Sequence, residues 1–173
     1  MIFQFLNYLK KYTEFLRCNA NKNNLRLQLD VEDYIQRLII HSDERRIKQV
    51  ILNLIANALK FTFEGHILLK WSFITYAGGN YAEFIIEDTG IGISEEHQTK
   101  LFKLFSMISD SKALNPNGTG IGLTVSKKYV EAIKGEINLK SQIGEGTCVT
   151  FTIPINEDYK VIELKKEING PFR

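Results

Sequence analysis

Apolar residues recur every three to four positions in three separate stretches of the chain. This spacing predicts three amphipathic helices, at residues 1–18, 43–61 and 123–135. Asp43 stands where it can cap the second helix. A shorter helix is predicted from Ser94 to Phe105. Residues 106–117, which follow it, have no clear period and are predicted to form a mobile loop.

Strand-like alternation of apolar and polar residues predicts three hairpins, formed by residues 25–30 with 34–40, 67–76 with 81–87, and 136–141 with 147–155. The first hairpin is expected to turn at residues 31–33. Helices combined with sequential hairpins predict an α+β two-layer sandwich, with an antiparallel or mixed sheet covered on one face by the three longer helices. Residues 156–173 are charged and carry no predicted element.

Composition and charge narrow the class of protein. The chain has 173 residues, 44% of them hydrophobic, which suits a single globular domain. A net charge of +2 favours neither a nucleic-acid partner nor contact of this segment with an anionic membrane. No apolar run approaches the roughly 20 residues that span a bilayer. Cys18 and Cys148 lack metal-ligand spacing, which indicates a reduced intracellular compartment.

Three polar motifs interrupt this apolar pattern, and the first lies on the second predicted helix. Asn53, Asn57 and Lys60 are four and three positions apart, so their side chains share one helix face. The two amides could simply hydrogen-bond a neighbouring loop. An amide oxygen is also a suitable Mg²⁺ ligand, and a lysine supplies a point charge for phosphates.

The second motif, Asp88-Thr-Gly-Ile-Gly92, follows a predicted strand directly. Asp-x-Gly is a common turn sequence, which is the structural alternative. A carboxylate at pocket depth can also accept a hydrogen bond from an exocyclic amine such as adenine N6, and the two glycines allow backbone to approach a flat ligand. We therefore expect Asp88 to recognise a base.

The third motif, Gly118-Thr-Gly-Ile-Gly-Leu123, precedes the last predicted helix. Its backbone N–H groups and the helix N-terminus could receive phosphates, although a flexible connector is the alternative. The glycine spacing matches neither the dinucleotide-binding fingerprint nor a P-loop. Lys112 could reach a γ-phosphate from the preceding loop, or could remain solvated. The histidines, His41, His66 and His97, show no metal-ligand spacing and are interpreted as structural or surface residues.

In this order and spacing, the motifs resemble the ATP-binding catalytic domain of sensor histidine kinases. This is the kinase branch of the superfamily shared with DNA gyrase, the large heat-shock chaperones and the mismatch-repair ATPases. The resemblance runs from about Leu25 to Ile155 and covers the family's N box, first glycine box, F box and second glycine box, at residues 43–62, 87–93, 101–105 and 118–123. It implies a Bergerat-type ATP-binding fold.

By this resemblance Asn57 would hold Mg²⁺, Asn53 and Lys60 would contact the triphosphate as the catalytic residues, and Asp88 would bind adenine. Residues 106–118 would form the ATP lid. The remaining implied ATP-binding residues are Gly90, Ile91, Gly92, Phe105, Lys112, Gly118, Thr119, Gly120, Ile121, Gly122 and Leu123. The resemblance also divides the chain into a connecting helix, a catalytic domain and a charged tail, at residues 1–18, 19–156 and 157–173.

The implied activity is transfer of the ATP γ-phosphoryl to a histidine on another domain, in cis or in trans, with a receiver domain downstream. No His-Glu-x-Arg-like phosphoacceptor segment is present, so this chain alone should bind ATP without autophosphorylating. We expect a cytoplasmic location, with dimerisation, and any membrane tether, only in a full-length protein.

Two alternatives remain open. An ATPase or ATP-gated clamp of the gyrase and chaperone branch would need a glutamate base where this chain has Asn53. A degenerate regulatory domain would bind nucleotide without transferring phosphate, and the unusual Lys103-Leu104 of the F box favours it.

Overall fold

The computed structural model describes residues 25–31, 38–39, 42–98, 101, 121–155 and 160–161, together with Lys11. Its helices are α1 (Glu44–Phe61), α2 (Glu95–Gln98) and α3 (Gly122–Ala132). Its strands are β1 (Leu25–Val31), β2 (Leu38–Ile39), β3 (Gly65–Tyr76), β4 (Gly79–Asp88), β5 (Glu136–Gln142), β6 (Gly146–Ile155) and β7 (Lys160–Val161).

Five strands form one mixed sheet in the order β1-β3-β4-β6-β5. Only the β1–β3 pair is parallel, with Leu25 opposite Gly65, and the other neighbours are antiparallel. Because α1 lies between β1 and β3 in sequence, it serves as the crossover that a parallel pair requires.

The predicted hairpin between residues 25–30 and 34–40 is wrong. Strand β1 pairs with β3, and β2 pairs with β7 in a separate two-stranded sheet. The alternation of Leu25 and Leu27 with polar residues identifies a strand with one buried face, but it carries no information about the partner. Strand β7 lies in the charged tail, where the sequence predicted no element.

The other two hairpins are confirmed. Strands β3 and β4 are joined by Ala77 and Gly78, both with positive φ, 49° and 78°. Two positive φ values are the signature of a type I′ turn, whose twist matches that of the flanking strands. Strands β5 and β6 are joined through residues 143–145, and β4 ends at Asp88, as predicted.

One hydrophobic core lies between the sheet and the helices, so the two-layer α+β prediction is confirmed. Helix α1 buries the apolar positions predicted for it, and α3 contributes Val130. Three rings stack across neighbouring strands: the centroids of Trp71 and Phe84 are 5.0 Å apart, and those of Phe84 and Phe151 are 4.7 Å apart. Polar residues of β5, such as Asn138 and Lys140, are exposed.

Two of the predicted helices extend beyond the residues that the structure describes. The helix predicted within residues 1–18 lies outside the described residues, apart from Lys11. Of the helix predicted from Ser94 to Phe105, the described part is the four-residue α2, followed by a turn at Leu101. Within the described part of the chain, no helix is both long and apolar enough to cross a bilayer.

Candidate nucleotide-binding site

Helix α1 carries the first polar motif. Asp43 caps its N-terminus, with its carboxylate accepting hydrogen bonds from the backbone N–H groups of Arg45 and Arg46 at 3.0 and 3.1 Å. The motif lies on the second half of the helix, whose last turn ends beside the loop that follows Asp88: the carbonyl of Phe61 accepts a hydrogen bond from the Ile91 N–H at 3.1 Å. The end of α1 is thereby joined to the second motif.

Asn53 connects α1 to the start of α3. Its Nδ2 donates to the carbonyl of Gly122 at 3.5 Å and to Ser126 Oγ at 3.4 Å, and its Oδ1 accepts from Gln49 Nε2 at 2.9 Å. The two contacts with α3 are long and therefore weak. They bring the first and third motifs together, which the sequence alone could not establish, and they give Asn53 the structural role that the sequence left as an alternative.

Asn57 and Lys60 lie one and two turns further along α1, and both are half-buried. The Asn57 side chain makes no hydrogen bond with another described residue. Partial burial lowers the pKa of the Lys60 ammonium. Its Nζ lies 5.2 Å from the ring centroid of the adjacent Phe61.

Asp88 is the most deeply buried acidic side chain that the structure describes, with 9% of its surface exposed. It ends β4 on the helix-covered face of the sheet. Its Oδ1 accepts a hydrogen bond from the Gly90 N–H at 2.9 Å. Burial raises the pKa of the Asp88 carboxyl, and the Gly90 N–H together with the Thr62 hydroxyl and the Thr147 backbone counteracts that rise.

Close main-chain packing surrounds this carboxylate. A Cβ added to Gly90 would lie 2.3 Å from the Phe61 carbonyl oxygen and 2.8 Å from Asp88 Oδ1. A Cβ on Gly92 would lie 1.9 Å from the Gln142 carbonyl oxygen, and one on Gly146 would lie 1.9 Å from the Asp88 carbonyl oxygen. The sequence predicted that Gly90 and Gly92 let backbone approach a ligand. The structure adds a second use, the close approach of three segments of the protein itself.

Ser141 holds the same region together and was given no role by the sequence analysis. Its Oγ donates to the Gly146 carbonyl at 2.7 Å, accepts from the Ile93 N–H at 2.8 Å, and lies 2.9 Å from Thr147 Oγ1. Since the Ser141 proton goes to Gly146, Thr147 must donate to Ser141. The only signal in the sequence was its place within the stretch from Leu25 to Ile155 that resembles the family.

The third motif is described from Ile121 onward. Ile121 is the N-cap residue of α3 and provides no side-chain cap. A Cβ built on Gly122 would meet no atom of the described residues within 4 Å, so none of them fills the space beside the first residue of this helix. An uncapped helix N-terminus next to open space is suited to phosphate.

Several predicted site residues lie outside the described part of the chain: Phe105, Lys112, Gly118, Thr119 and Gly120. The same is true of His41. The ring Nδ1 of His97 lies 3.0 Å from Ser94 Oγ, and the backbone N–H of His66 donates to Thr89 Oγ1 at 2.9 Å, so both take part in local structure. Among the described residues, no cluster of His, Cys, Asp or Glu could hold a metal ion by itself.

Comparison with known proteins places this site in a family. Residues 42–157 match the family described as histidine kinase-, DNA gyrase B- and HSP90-like ATPase. The chain is 33% identical over 153 residues to hybrid signal transduction histidine kinase B of Dictyostelium discoideum, covering 88% of this chain. The chain spans between 8% and 20% of the length of the first three curated relatives.

Solved structures of histidine kinases have the same fold as this chain. The catalytic domain of histidine kinase ThkA aligns with a TM-score of 0.68 and 26% identity, covering 87% of this chain and 94% of that one. Full-length ShkA in complex with AMPPNP aligns with a TM-score of 0.69 and 26% identity, covering 85% of this chain and 29% of that one. The chain therefore belongs to the histidine kinase-, DNA gyrase B- and HSP90-like ATPase family.

Proposed function

We propose that this chain is the Mg-ATP-binding catalytic module of a two-component histidine kinase, which donates the ATP γ-phosphoryl to a histidine on a separate domain. The observation that carries the proposal is the placement of Asp88, a buried carboxylate at a strand end, beside the end of the helix that bears Asn53, Asn57 and Lys60. The histidine kinase relatives and the AMPPNP complex of ShkA support ATP as the nucleotide.

Each residue has a distinct task in this mechanism. Asp88 accepts a hydrogen bond from the adenine amino group, which requires its carboxylate to be ionised. Lys60 attracts the phosphates by its charge, and the open N-terminus of α3 at Gly122 receives phosphate oxygens through its backbone N–H groups. The base and the phosphates are thus bound by separate elements, which fixes the orientation of the γ-phosphoryl.

The residues present fit Mg²⁺. This ion keeps several waters and takes ligands from substrate phosphates, so one protein oxygen is enough, and the Asn57 amide supplies it. Magnesium, when bound, would neutralise charge on the phosphate oxygens.

Transfer is favoured over hydrolysis by the chemistry of Asn53. An amide cannot abstract a proton from water, and both ends of this amide are occupied by Gln49 and by the start of α3. Catalysis then rests on orientation and charge neutralisation, with the acceptor histidine supplied by another domain, in cis or in trans. A receiver domain downstream and a cytoplasmic location belong to the same proposal.

Isothermal titration calorimetry and phosphate release test the proposal together. The wild-type chain is expected to bind ATP in a Mg²⁺-dependent manner, with slow phosphate release, and Asp88→Ala is expected to abolish binding. Addition of the phosphoacceptor domain of its own full-length protein should yield a labelled phosphohistidine from γ-labelled ATP. Absence of ATP affinity would refute the proposal, and rapid hydrolysis by the isolated chain would favour the clamp ATPase instead.

A further inference from the structure

A hydrogen bond from one helical turn before Asn53 holds the amide group of that residue. Gln49 Nε2 donates to Asn53 Oδ1 at 2.9 Å, an ordinary length, and the two residues are four positions apart on α1. The contacts of Asn53 Nδ2 with Gly122 and Ser126 are longer, at 3.5 and 3.4 Å. Of these three contacts, the one with Gln49 is therefore the strongest, yet the proposed mechanism gives Gln49 no task.

The direction of this bond determines which end of the Asn53 amide faces α3. The carbonyl of Gly122 can only accept a hydrogen bond, so the amide nitrogen of Asn53 must point toward it and the amide oxygen must point toward Gln49. A reversed amide would place its oxygen against the Gly122 carbonyl oxygen. Gln49, Asn53 and Gly122 thus form a chain of hydrogen bonds in which both donors point toward the first residue of α3. Hydrogen bonds in such a chain strengthen one another.

The start of α3 is where the phosphates bind in the proposed function. Its N-terminus has no side-chain cap, and no described residue fills the space beside Gly122. A phosphate oxygen is an anionic acceptor, so it attracts N–H groups and is repelled by an amide oxygen. The protons of Asn53 Nδ2 make only long contacts, and a charged oxygen would form a shorter and stronger bond with either of them. The orientation that Gln49 imposes on Asn53 is therefore the one that a phosphate needs.

We propose that Gln49 is a positioning residue, which holds the Asn53 amide with its N–H groups directed at the triphosphate and touches no nucleotide atom itself. Gln49 is exposed and lies one turn further than Asn53 from the end of α1 that adjoins the Asp88 loop. This inference rests on the proposed function, in which the phosphates lie at the start of α3. The alternative is a surface pair that only stabilises α1.

A double-mutant cycle, measured by calorimetry with Mg²⁺ present, separates these two roles. Gln49→Met keeps the length of the side chain and a high helix propensity but removes the donor. It should weaken ATP binding about threefold in the wild-type chain, the value of an ordinary hydrogen bond. In Asn53→Ala, which itself should bind ATP more weakly, the same substitution should change nothing, because no amide remains to be positioned. Adenosine has no phosphate, so its affinity should be the same for Gln49→Met and the wild type.

The side-chain NH₂ signal of Asn53 provides a local readout by nuclear magnetic resonance, and its absence from the spectrum of Asn53→Ala identifies it. Mg-ATP should shift this signal in the wild type, whereas adenosine should not. Urea unfolding verifies that the variants fold, and the midpoint of Gln49→Met should lie within about 0.3 M of the wild type.

An equal loss of ATP affinity from Gln49→Met in the wild-type and Asn53→Ala backgrounds would overturn the inference, because Gln49 would then act without Asn53. Unchanged ATP affinity in Gln49→Met, or an equal loss for ATP and adenosine, would also overturn it while leaving the proposed function intact. A wild-type chain without affinity for Mg-ATP would instead refute the proposed function.

Discussion

Gly90→Ala should destabilise the folded protein, because there is no room for a methyl group at this glycine. The added Cβ would lie 2.3 Å from the Phe61 carbonyl oxygen and 2.8 Å from Asp88 Oδ1. One atom belongs to the end of α1 and the other to the buried carboxylate, so neither can yield without loss of a contact. Movement of the Gly90 backbone would break its N–H bond to Asp88, which is 2.9 Å long.

The free energy of unfolding should fall by about 1.5–5.5 kcal/mol. Overpacking of a closely packed region costs about 1–3 kcal/mol. A weakened hydrogen bond to a buried carboxylate adds about 1.5–3 kcal/mol. A Gly→Ala change also lowers the conformational entropy of the unfolded chain, which offsets only about 0.4–1 kcal/mol of the lost free energy of unfolding. For a dependence of about 2 kcal/mol per molar urea, the midpoint should fall by about 1–3 M.

Trp71 provides the assay. It is the single tryptophan of the chain, is 2% exposed, and stacks on Phe84 in the core, so its fluorescence reports global unfolding in urea. Gly122→Ala is the matched control for stability, since a Cβ there meets no atom within 4 Å in the part of the chain that the structure describes, and alanine favours a helix. The control midpoint should stay the same or rise slightly. A Gly90→Ala midpoint within about 0.3 M of the wild type would refute the packing argument.

Three further predictions concern the same site. Burial raises the pKa of Asp88, so the stability contributed by its protonated form is present below the unfolded pKa of about 3.9 and is lost as the pH rises through the folded pKa. Asp88→Asn should therefore unfold at a higher temperature than the wild type at pH 7, and the difference between the two unfolding temperatures should close in acid. A difference that stays constant with pH would contradict this titration. Ser141→Ala leaves the Ile93 N–H and the Thr147 hydroxyl without their partner and should cost about 1–3 kcal/mol, measured by urea unfolding, with faster hydrogen exchange at Ile93 as the local readout. Asn57→Ala should weaken ATP binding in the presence of Mg²⁺ and leave the affinity measured in EDTA almost unchanged, and an equal loss in both conditions would argue against a metal role.

Much of the fold follows from local pattern. The alternation of apolar and polar residues in β3, β4 and β6, and the three-to-four spacing of apolar residues in α1, predicted both the elements and their buried faces. A strand or helix with one buried face has apolar residues that recur with the period of that element. The pairing of the strands could not be predicted from this local pattern as reliably. Strand β1 pairs with β3 across an intervening helix, and the short strand β2 pairs with β7, about 120 residues further along the chain.

The site was predictable to the extent that its residues carry unusual chemistry for their position. Asp88, a carboxylate at the end of an apolar strand, and Asn53 and Asn57, two amides on a largely buried helix, can be recognised as unusual from the sequence alone. Ser141 cannot, because a serine in a strand is ordinary. Its role depends on hydrogen bonds to Ile93, Gly146 and Thr147, and only coordinates reveal those partners.

The main-chain surroundings of Asp88 have a consequence for inhibitor resistance. Gly90 lies against the Phe61 carbonyl and the Asp88 carboxylate, and Gly146 lies against the Asp88 backbone carbonyl, so substitution of either glycine cannot reshape that end of the cleft without disturbing the fold. A purine-competitive inhibitor anchored on Asp88 should therefore select few escape mutations at its anchor. Escape should instead concentrate at half-buried side chains such as Asn57 and Lys60, where the chain can change without rebuilding its backbone.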